Sequence, residues 1–249
     1  MTAVSRAGHD LITSFVVGKP PHTMRLALAL ALGLGVCTGC RFGFDEQPIA
    51  GGDAALTDVA RDARIVTKTF GERPGSMTTG VTTDATVSEG MTMMNFDPFE
   101  DLSISDLIER GLLRFDVSSI APGTVVVACR LELERVDYGD DITGGLALRE
   151  VGQAWVEGNV TWNVRDTGTA WTAAGGTVSS PIVTLGPPPL AVSFTVPPST
   201  PQRWIDTPAT NFGLALSVAD EQSPTHYHMH SSESVVLTAR PQLVLDLAL

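Results

Sequence analysis

Apolar and polar residues alternate in short runs over the last three quarters of the chain, and the runs end at Gly, Pro, Asp or Asn. Phe115 and Val117 share one face of such a run, because a charged residue precedes each of them. The longest alternating run is Val125–Val136. Side chains with a period of two predict β-strands with one buried face, so the pattern indicates an all-β fold.

Several further segments have the same character, and each is bounded by turn residues. Many short strands that each bury one face are accommodated by two stacked antiparallel sheets, so the fold class predicted is a two-sheet antiparallel β-sandwich. The predicted strands are Ile65–Phe70, Thr82–Val87, Arg110–Val117, Val125–Val136, Gly145–Val151, Val183–Leu185, Val192–Val196, Asn211–Val218, His226–His230 and Gln242–Leu247.

Composition narrows the class of partner. Of the 249 residues, 43% are hydrophobic, enough for a sizeable core, and 24 Gly and 16 Pro fit a fold rich in turns. The formal net charge of −12 argues against nucleic acid or anionic lipid headgroups as the main partner. It also argues against a polyanionic sugar, unless a local basic patch or a bridging cation assists.

The amino end has the pattern of a bacterial lipoprotein signal peptide over residues 1–40. Arg25 precedes the apolar run Leu26–Val36, which is shorter than the ~20 residues that span a bilayer. The small residues that follow end at Cys40, the predicted lipidation site, with Cys37 as a poorer alternative. Met24 is an alternative start, and an internal helix is the alternative reading of the apolar run.

Residues 41–64 are acidic, with little apolar patterning, and are predicted to be a flexible tether. The domain then covers residues 65–249. A lipid anchor on Cys40 would attach the exported protein to a membrane without a transmembrane helix. Arg41 after that cysteine favours the outer membrane or cell surface as the location.

Several segments resemble the DNRLRE domain family. They are Arg110–Ile120, Trp155 with Val160–Asn163, Trp171 with Gly175-Gly176, and Asn211–Leu216. In their order and spacing they cover about residues 66–249. The resemblance implies an extracellular jelly-roll-like sandwich, and some members of the family act as carbohydrate-binding modules.

Aromatic side chains are the first candidates for a sugar-binding surface, because their ring faces stack on sugar rings. Trp155 and Trp162 match positions that the family pattern shares irrespective of ligand, so they are interpreted as core residues. Tyr138, Trp171 and Trp204 are the candidate ligand-binding residues, with Tyr138 and Trp171 expected to be exposed on loops.

Alternation in His226–His230 puts His226, His228 and His230 on one face of a strand. Three imidazoles about 6–7 Å apart along the backbone are a candidate Zn²⁺ or Ni²⁺ site. The alternative is a strand whose other two residues, Tyr227 and Met229, face the core while the histidines face solvent.

An acidic turn and a single cysteine complete the candidates. Asp137, Asp140 and Asp141 could supply oxygen ligands to Ca²⁺, but a hairpin loop with solvated carboxylates is the favoured explanation. The resemblance to jelly-roll domains leaves a structural Ca²⁺ elsewhere as an alternative, and no other cofactor is indicated. Cys129 lies in a strand-like run and is interpreted as a buried thiol.

No nucleophile–base set, metalloprotease motif or phosphate-binding loop is recognisable. Together with the predicted signal peptide, this indicates a non-catalytic, lipid-anchored protein of the cell envelope, and the resemblance to the DNRLRE domain family implies that it binds an extracellular polysaccharide. A structural or adhesive protein that contacts envelope proteins is the alternative, and a polysaccharide hydrolase or lyase is third.

Overall fold

The computed structural model describes residues 64–74, 82–97, 99–106, 108–139, 143–220 and 224–249. One α-helix in these ranges, α1, covers Ser199–Asp206, and none is long and apolar enough to cross a membrane. The strands are β1 (Ile65–Gly71), β2 (Thr82–Ser88), β3 (Asp101–Ser105), β4 (Glu109–Phe115), β5 (Val125–Glu134), β6 (Leu146–Glu150), β7 (Val164–Asp166), β8 (Thr169–Ala170), β9 (Val183–Leu185), β10 (Ala191–Val196), β11 (Leu214–Val218), β12 (His226–His230) and β13 (Gln242–Ala248).

Two antiparallel sheets form the sandwich, which confirms the predicted fold class. The four-stranded sheet has the order β1-β13-β5-β10, and β13 runs along most of β5. The seven-stranded sheet has the order β12-β3-β4-β11-β6-β9, with β2 paired along the whole of β4. The hairpin β7–β8 pairs separately.

The main core lies between the two sheets. In β10, Val192, Phe194 and Val196 are buried while the residues between them are exposed, which is the alternation of a strand with one dry face. From the seven-stranded sheet, Leu214 and Leu216 of β11 belong to the same buried cluster.

The outer face of the four-stranded sheet is polar. The Arg130 guanidinium lies 3.6 Å from the Asp246 carboxylate and 3.8 Å from that of Glu132. The Thr67 hydroxyl donates a hydrogen bond of 2.7 Å to Asp246. These are partly solvated contacts, so this face contributes little to stability.

Over β2, β4 and β11 the outer face of the seven-stranded sheet is apolar and is covered by residues 151–178, which we name the tryptophan cover. Trp155, Trp162 and Trp171 form a second buried cluster with side chains of β2, β4 and β11. The Trp155 indole donates to the Phe212 carbonyl at 2.8 Å, and the Trp171 indole donates to the Thr161 carbonyl at 3.0 Å. All three tryptophans are therefore packing residues, and the N–H groups of Trp155 and Trp171 are satisfied.

Close packing against the cover explains a glycine in the predicted Gly175-Gly176 pair. Gly175 has a φ of +78°, and a Cβ there would lie 2.4 Å from the Trp162 ring. A larger residue would therefore be strained in its backbone and would displace the indole.

Helix α1 is too short for a helical period to be recognised in the sequence. It buries Trp204 and Ile205 against the inter-sheet core. The Gln202 side chain accepts a hydrogen bond from the Val126 N–H at 2.8 Å and donates to the Thr124 carbonyl at 3.0 Å. These bonds fix the helix beside the first residues of β5.

Cys129 points into the core from β5 and is 1% exposed. Burial raises the pKa of its thiol to about 12. The prediction of a buried free thiol is confirmed.

Candidate functional site

An open cleft with a volume of about 360 Å³ lies where β4 ends, facing the segment that follows α1. Its size falls in the usual range for small-ligand sites. Three of the residues around it carry polar side chains that are central to its chemistry: Arg114, Asp116 and Asn211. The remaining lining residues are Thr83, Phe115, Val117, Ser118, Trp204 and Pro208.

Asp116 is exposed at the rim, and the chain turns there because its carboxylate accepts a hydrogen bond of 2.9 Å from the Ser118 N–H. Hydrogen bonds from the hydroxyl and the N–H of Ser118 lower the pKa of Asp116, and the nearby charge of Arg114 adds to the effect. The rim of the cleft therefore carries a negative charge over the whole neutral range.

Arg114 supplies the positive charge. Its guanidinium lies 5.2 Å from the centre of the Trp155 ring and donates to the Trp155 carbonyl at 3.2 Å. Burial lowers its pKa, and the negative charges of Glu157 and Asp116 oppose that effect. An arginine with such partners keeps its charge and holds a fixed orientation beside the cleft.

Asn211 has an unsatisfied acceptor. Its side-chain N–H donates to the Phe115 carbonyl at 2.8 Å, while its buried Oδ1 accepts no hydrogen bond from any described residue. Buried carbonyl oxygens nearly always have a donor, and this one is closed to solvent, so a ligand hydroxyl could reach it only if the Asn211 side chain moved.

The predicted ligand-binding tryptophans are not open to solvent. Trp171 is 6% exposed inside the tryptophan cover, so the expectation of an exposed loop indole is wrong. Trp204 is 2% exposed because α1 turns it into the core, although its residue borders the cleft. Neither presents a free ring face on which a sugar could stack.

Tyr138 is 64% exposed, as predicted for a loop aromatic. Its ring packs edge-on against the His228 imidazole, with the ring centres 5.0 Å apart. The structure thus brings a predicted ligand-binding residue next to the predicted histidine row.

The histidine strand β12 has the predicted alternation, with Tyr227 and Met229 fully buried. One nitrogen of each imidazole nevertheless contacts a partner other than a shared ion site. His226 Nε2 lies 2.8 Å from the Ser103 hydroxyl, His228 Nδ1 lies 2.9 Å from the Asp101 carboxylate, and His230 Nδ1 lies 2.9 Å from the Ser234 hydroxyl. The nitrogens do not converge, so the histidine metal site stays a prediction that this arrangement does not favour.

An acidic cluster of Asp84, Glu157 and Glu233 was not foreseen from the sequence. One carboxylate oxygen from each of the three lies within 4.8 Å of the others. Asp84 comes from β2, Glu157 from the turn at the start of the 3-10 helix Glu157–Asn159, and Glu233 from the loop after β12. Three separate segments therefore meet at this point.

Backbone groups hold the acidic cluster together. The Asp84 N–H donates to the Glu157 carboxylate and the Ser232 N–H donates to the Asp84 carboxylate, each at 2.6 Å. The Asn95 amide fastens the turn from the other side, since it donates to the Glu157 carbonyl at 2.6 Å and to that of Val160 at 2.8 Å.

Burial dominates the electrostatics of the cluster. Asp84 is 1% exposed, and its desolvation raises its pKa well above the ordinary value, with the charge of Glu233 adding to the shift. Desolvation likewise raises the pKa of Glu157 and of the neighbouring Asp97. A carboxyl with a raised pKa can serve as a general acid, but one as enclosed as Asp84 cannot reach a substrate bond.

The sequence contains only weak signals for this cluster. Asp84 lies in the polar run Thr82-Thr-Asp of a predicted strand. The pattern of this strand does not show whether the aspartate faces solvent or the protein interior. Glu157 and Glu233 are both in loops, and only the fold brings them together. A burial prediction for β2 would have drawn attention to Asp84.

Some predictions fall outside the described residues. They concern the lipidation cysteine Cys40 and its alternative Cys37, the signal peptide, almost all of the tether, and two of the three aspartates in the predicted calcium turn, Asp140 and Asp141.

No protein-family model matches this chain, and no curated protein is significantly similar to it. The resemblance to the DNRLRE domain family therefore stays a prediction.

Proposed function

We propose that this protein is a non-catalytic β-sandwich of the cell envelope, held by a lipid on Cys40, and that it binds a neutral extracellular polysaccharide. The observation that carries the proposal is the cleft beside the end of β4. It has the size of a ligand site and combines a cation and an anion, Arg114 and Asp116.

The chemistry of the cleft suits a sugar. A pyranose presents vicinal hydroxyls that both donate and accept, and the cleft offers guanidinium N–H donors on Arg114 and carboxylate acceptors on Asp116. The apolar edges of Phe115 and Pro208 border the same space. Polar groups that fix orientation on an apolar floor are the usual composition of a small-molecule site.

Charge favours a neutral polymer. The chain has a net charge of −12, and Asp116 stands next to Arg114 at the cleft, so that the arginine charge is compensated. A polyanion would meet repulsion over most of the surface. Neutral glucans, mannans and xylans are therefore the class of ligand to test first.

The test fills the cleft. Ser118 is exposed at its rim, so Ser118→Trp would occupy the space without disturbing the core. Binding to a panel of neutral and acidic polysaccharides is measured by affinity gel electrophoresis and a glycan array. We expect the wild-type protein to be retained by at least one neutral polymer, and Ser118→Trp to weaken that retention at least tenfold.

Ser119→Trp is the matched control, because Ser119 is the next exposed residue and does not line the cleft. It should bind as the wild type does. Equal retention of Ser118→Trp and wild type would exclude the cleft as the binding site, and a wild-type protein that binds no polymer would refute the proposal.

A structural or adhesive role is the second candidate, and exposed apolar side chains favour it. Met93 is 77% exposed and Val235 is 71% exposed, on loops that meet where the Ser231 N–H donates to the Glu100 carbonyl at 3.0 Å. This role would be supported if the protein bound no polysaccharide and could be cross-linked to another envelope protein through these loops.

A further inference from the structure

We infer that the acidic cluster of Asp84, Glu157 and Glu233 is a calcium site that fastens two loops to the edge strand β2. This inference is independent of the proposed sugar binding, since none of the three residues lines the cleft.

The ligand set selects the class of ion. All three donors are carboxylate oxygens, with no imidazole or thiolate among them, which suits a hard divalent cation and not Zn²⁺ or Cu²⁺. Ca²⁺ binds oxygens at about 2.3–2.6 Å, so two of its ligands can lie up to about 5 Å apart. The observed separations, all within 4.8 Å, fit around one Ca²⁺ ion. Mg²⁺ demands near-ideal octahedral geometry and gives up its waters reluctantly, so an all-carboxylate site of this kind suits it less well.

Two carboxylate oxygens of the cluster are buried without a donor, and this observation is separate from their proximity. Asp84 Oδ2 accepts from the Ser232 N–H, whereas no N–H or hydroxyl of the described residues donates to Asp84 Oδ1. The Asp84 carboxyl can hydrogen-bond to that of Glu233 only if the two share a proton. Glu233 repeats the arrangement, with one oxygen bonded to the Ser232 hydroxyl at 2.7 Å and Oε2 without a partner. Carboxylate oxygens in such a state are expensive to bury unless a proton or a metal satisfies them.

Positive side chains do not fill this need among the described residues. Arg114 is the cation that acts on Glu157, but its guanidinium is engaged with the Trp155 ring and carbonyl. Asp97 adds a fourth carboxyl whose pKa is raised by burial and by the charge of Glu233. The negative charge of these carboxylates is therefore not balanced by nearby side chains, and a divalent cation would balance it.

The position of the site gives the ion a structural task. Glu157 stands at the start of the turn inside the tryptophan cover, and Glu233 stands on the loop that follows the histidine strand. A Ca²⁺ ion held by both and by Asp84 would tie that turn and that loop to β2. Extracellular modules commonly bind Ca²⁺ with a Kd on the order of 10⁻⁴–10⁻³ M, which suits an exported protein.

The experiment is a thermal unfolding series on the full chain in detergent, after treatment with EDTA and removal of the chelator, with CaCl₂ or MgCl₂ added. We expect the Tm to rise by about 5–10 °C when free Ca²⁺ exceeds the Kd about 100-fold, and to rise less with Mg²⁺. Isothermal titration calorimetry supplies the stoichiometry, expected to be one ion per chain.

Two variants remove ligands without removing bulk. Asp84→Asn and Glu233→Gln should each weaken Ca²⁺ binding at least tenfold, and Glu233 is only half-buried, so its variant should fold normally. Glu134→Gln on the outer face of the four-stranded sheet is the matched control and should keep the full Ca²⁺ response.

Three outcomes would overturn the inference. They are a wild-type Tm that Ca²⁺ does not change, Asp84→Asn and Glu233→Gln variants that retain the wild-type response, and a response to Mg²⁺ as strong as that to Ca²⁺. The first would mean that a shared proton, and not a metal, satisfies the buried oxygens.

Discussion

The two outer faces of the sandwich differ in what lies over them. The four-stranded sheet presents Arg130, Glu132 and Asp246 to solvent, where they form loose ion pairs. The seven-stranded sheet presents small and apolar side chains that the tryptophan cover buries. One sheet is therefore dry on one face only, and the central part of the other is dry on both.

The burial patterns of individual strands show this difference. In β10 buried and exposed residues alternate, whereas all five residues of β11, Leu214–Val218, are buried. A strand with two dry faces loses the period of two and becomes a continuous apolar run. Absence of alternation in β11 therefore indicates a second layer of packing, and not a weaker strand.

The largest expected effect tests the core that both sheets share. Phe194 is fully buried between them, and neither sheet can move to fill a cavity there. Phe194→Ala should lower the free energy of unfolding by about 4–5 kcal/mol, measured by urea denaturation. Hydrogen exchange should accelerate in both sheets, because the loss is global.

Thr195→Ala is the control for this change, since Thr195 is the next residue of β10 and is exposed. Its effect should stay within about 0.5 kcal/mol. A Phe194→Ala protein whose stability equals that of Thr195→Ala would contradict the placement of β10 over the seven-stranded sheet.

The sequence predicts the strands well where one face of the strand is buried and the other is exposed to solvent. The predicted strands Val183–Leu185 and His226–His230 have the bounds observed, and the others differ at one or both ends by a few residues. It predicted no strand at Asp101–Ser105 and no helix at Ser199–Asp206, because both elements are short and depend on tertiary contacts. The role of Trp171 was misjudged because burial by a loop leaves no periodic signal.

A smaller effect is expected from the tryptophan cover. Trp171→Ala removes a buried indole and its hydrogen bond to Thr161, but the surrounding loops can partly close the cavity. Its cost should be about 3 kcal/mol, at the low end for such a change. Faster hydrogen exchange should be confined to residues 151–178 and the strands beneath them, while β5, β10 and β13 stay protected.

Thr169→Ala in the same segment is exposed and should leave both stability and exchange unchanged. If Trp171→Ala instead loosened the four-stranded sheet as much as Phe194→Ala does, the two cores would form a single cooperative layer. The two outer faces would then differ in their side chains but not in how independently they unfold.

Candidate sites were harder to foresee than strands, and the reason is their spread along the chain. The groups that bond to Asp84 lie 73 and 148 positions away, in loops without a motif. Arg114, Asp116 and Asn211 of the cleft are likewise joined only by the packing of β11 beside β4. Tyr138 was recognisable because a lone loop aromatic needs no partner to be exposed.

The smallest expected effect compares a buried carboxyl on the edge strand β2 with a carboxyl on the open face of the four-stranded sheet, in protein free of Ca²⁺. The pKa of Asp84 is raised by folding, so the folded state binds its proton more tightly than the unfolded state does. The stability that this group contributes is therefore complete below the unfolded pKa, about 3.9, and declines as pH rises toward the folded pKa.

The Asp84→Asn side chain cannot ionise, and its amide can donate to Glu233. The free energy of unfolding of this variant should therefore exceed that of the wild type at pH 7 by on the order of 1 kcal/mol and match it near pH 3.5. Urea denaturation across this range, with Glu134→Gln as the open-face control, measures the difference, and parallel curves for Asp84→Asn and wild type would show that Asp84 is not a desolvated acid.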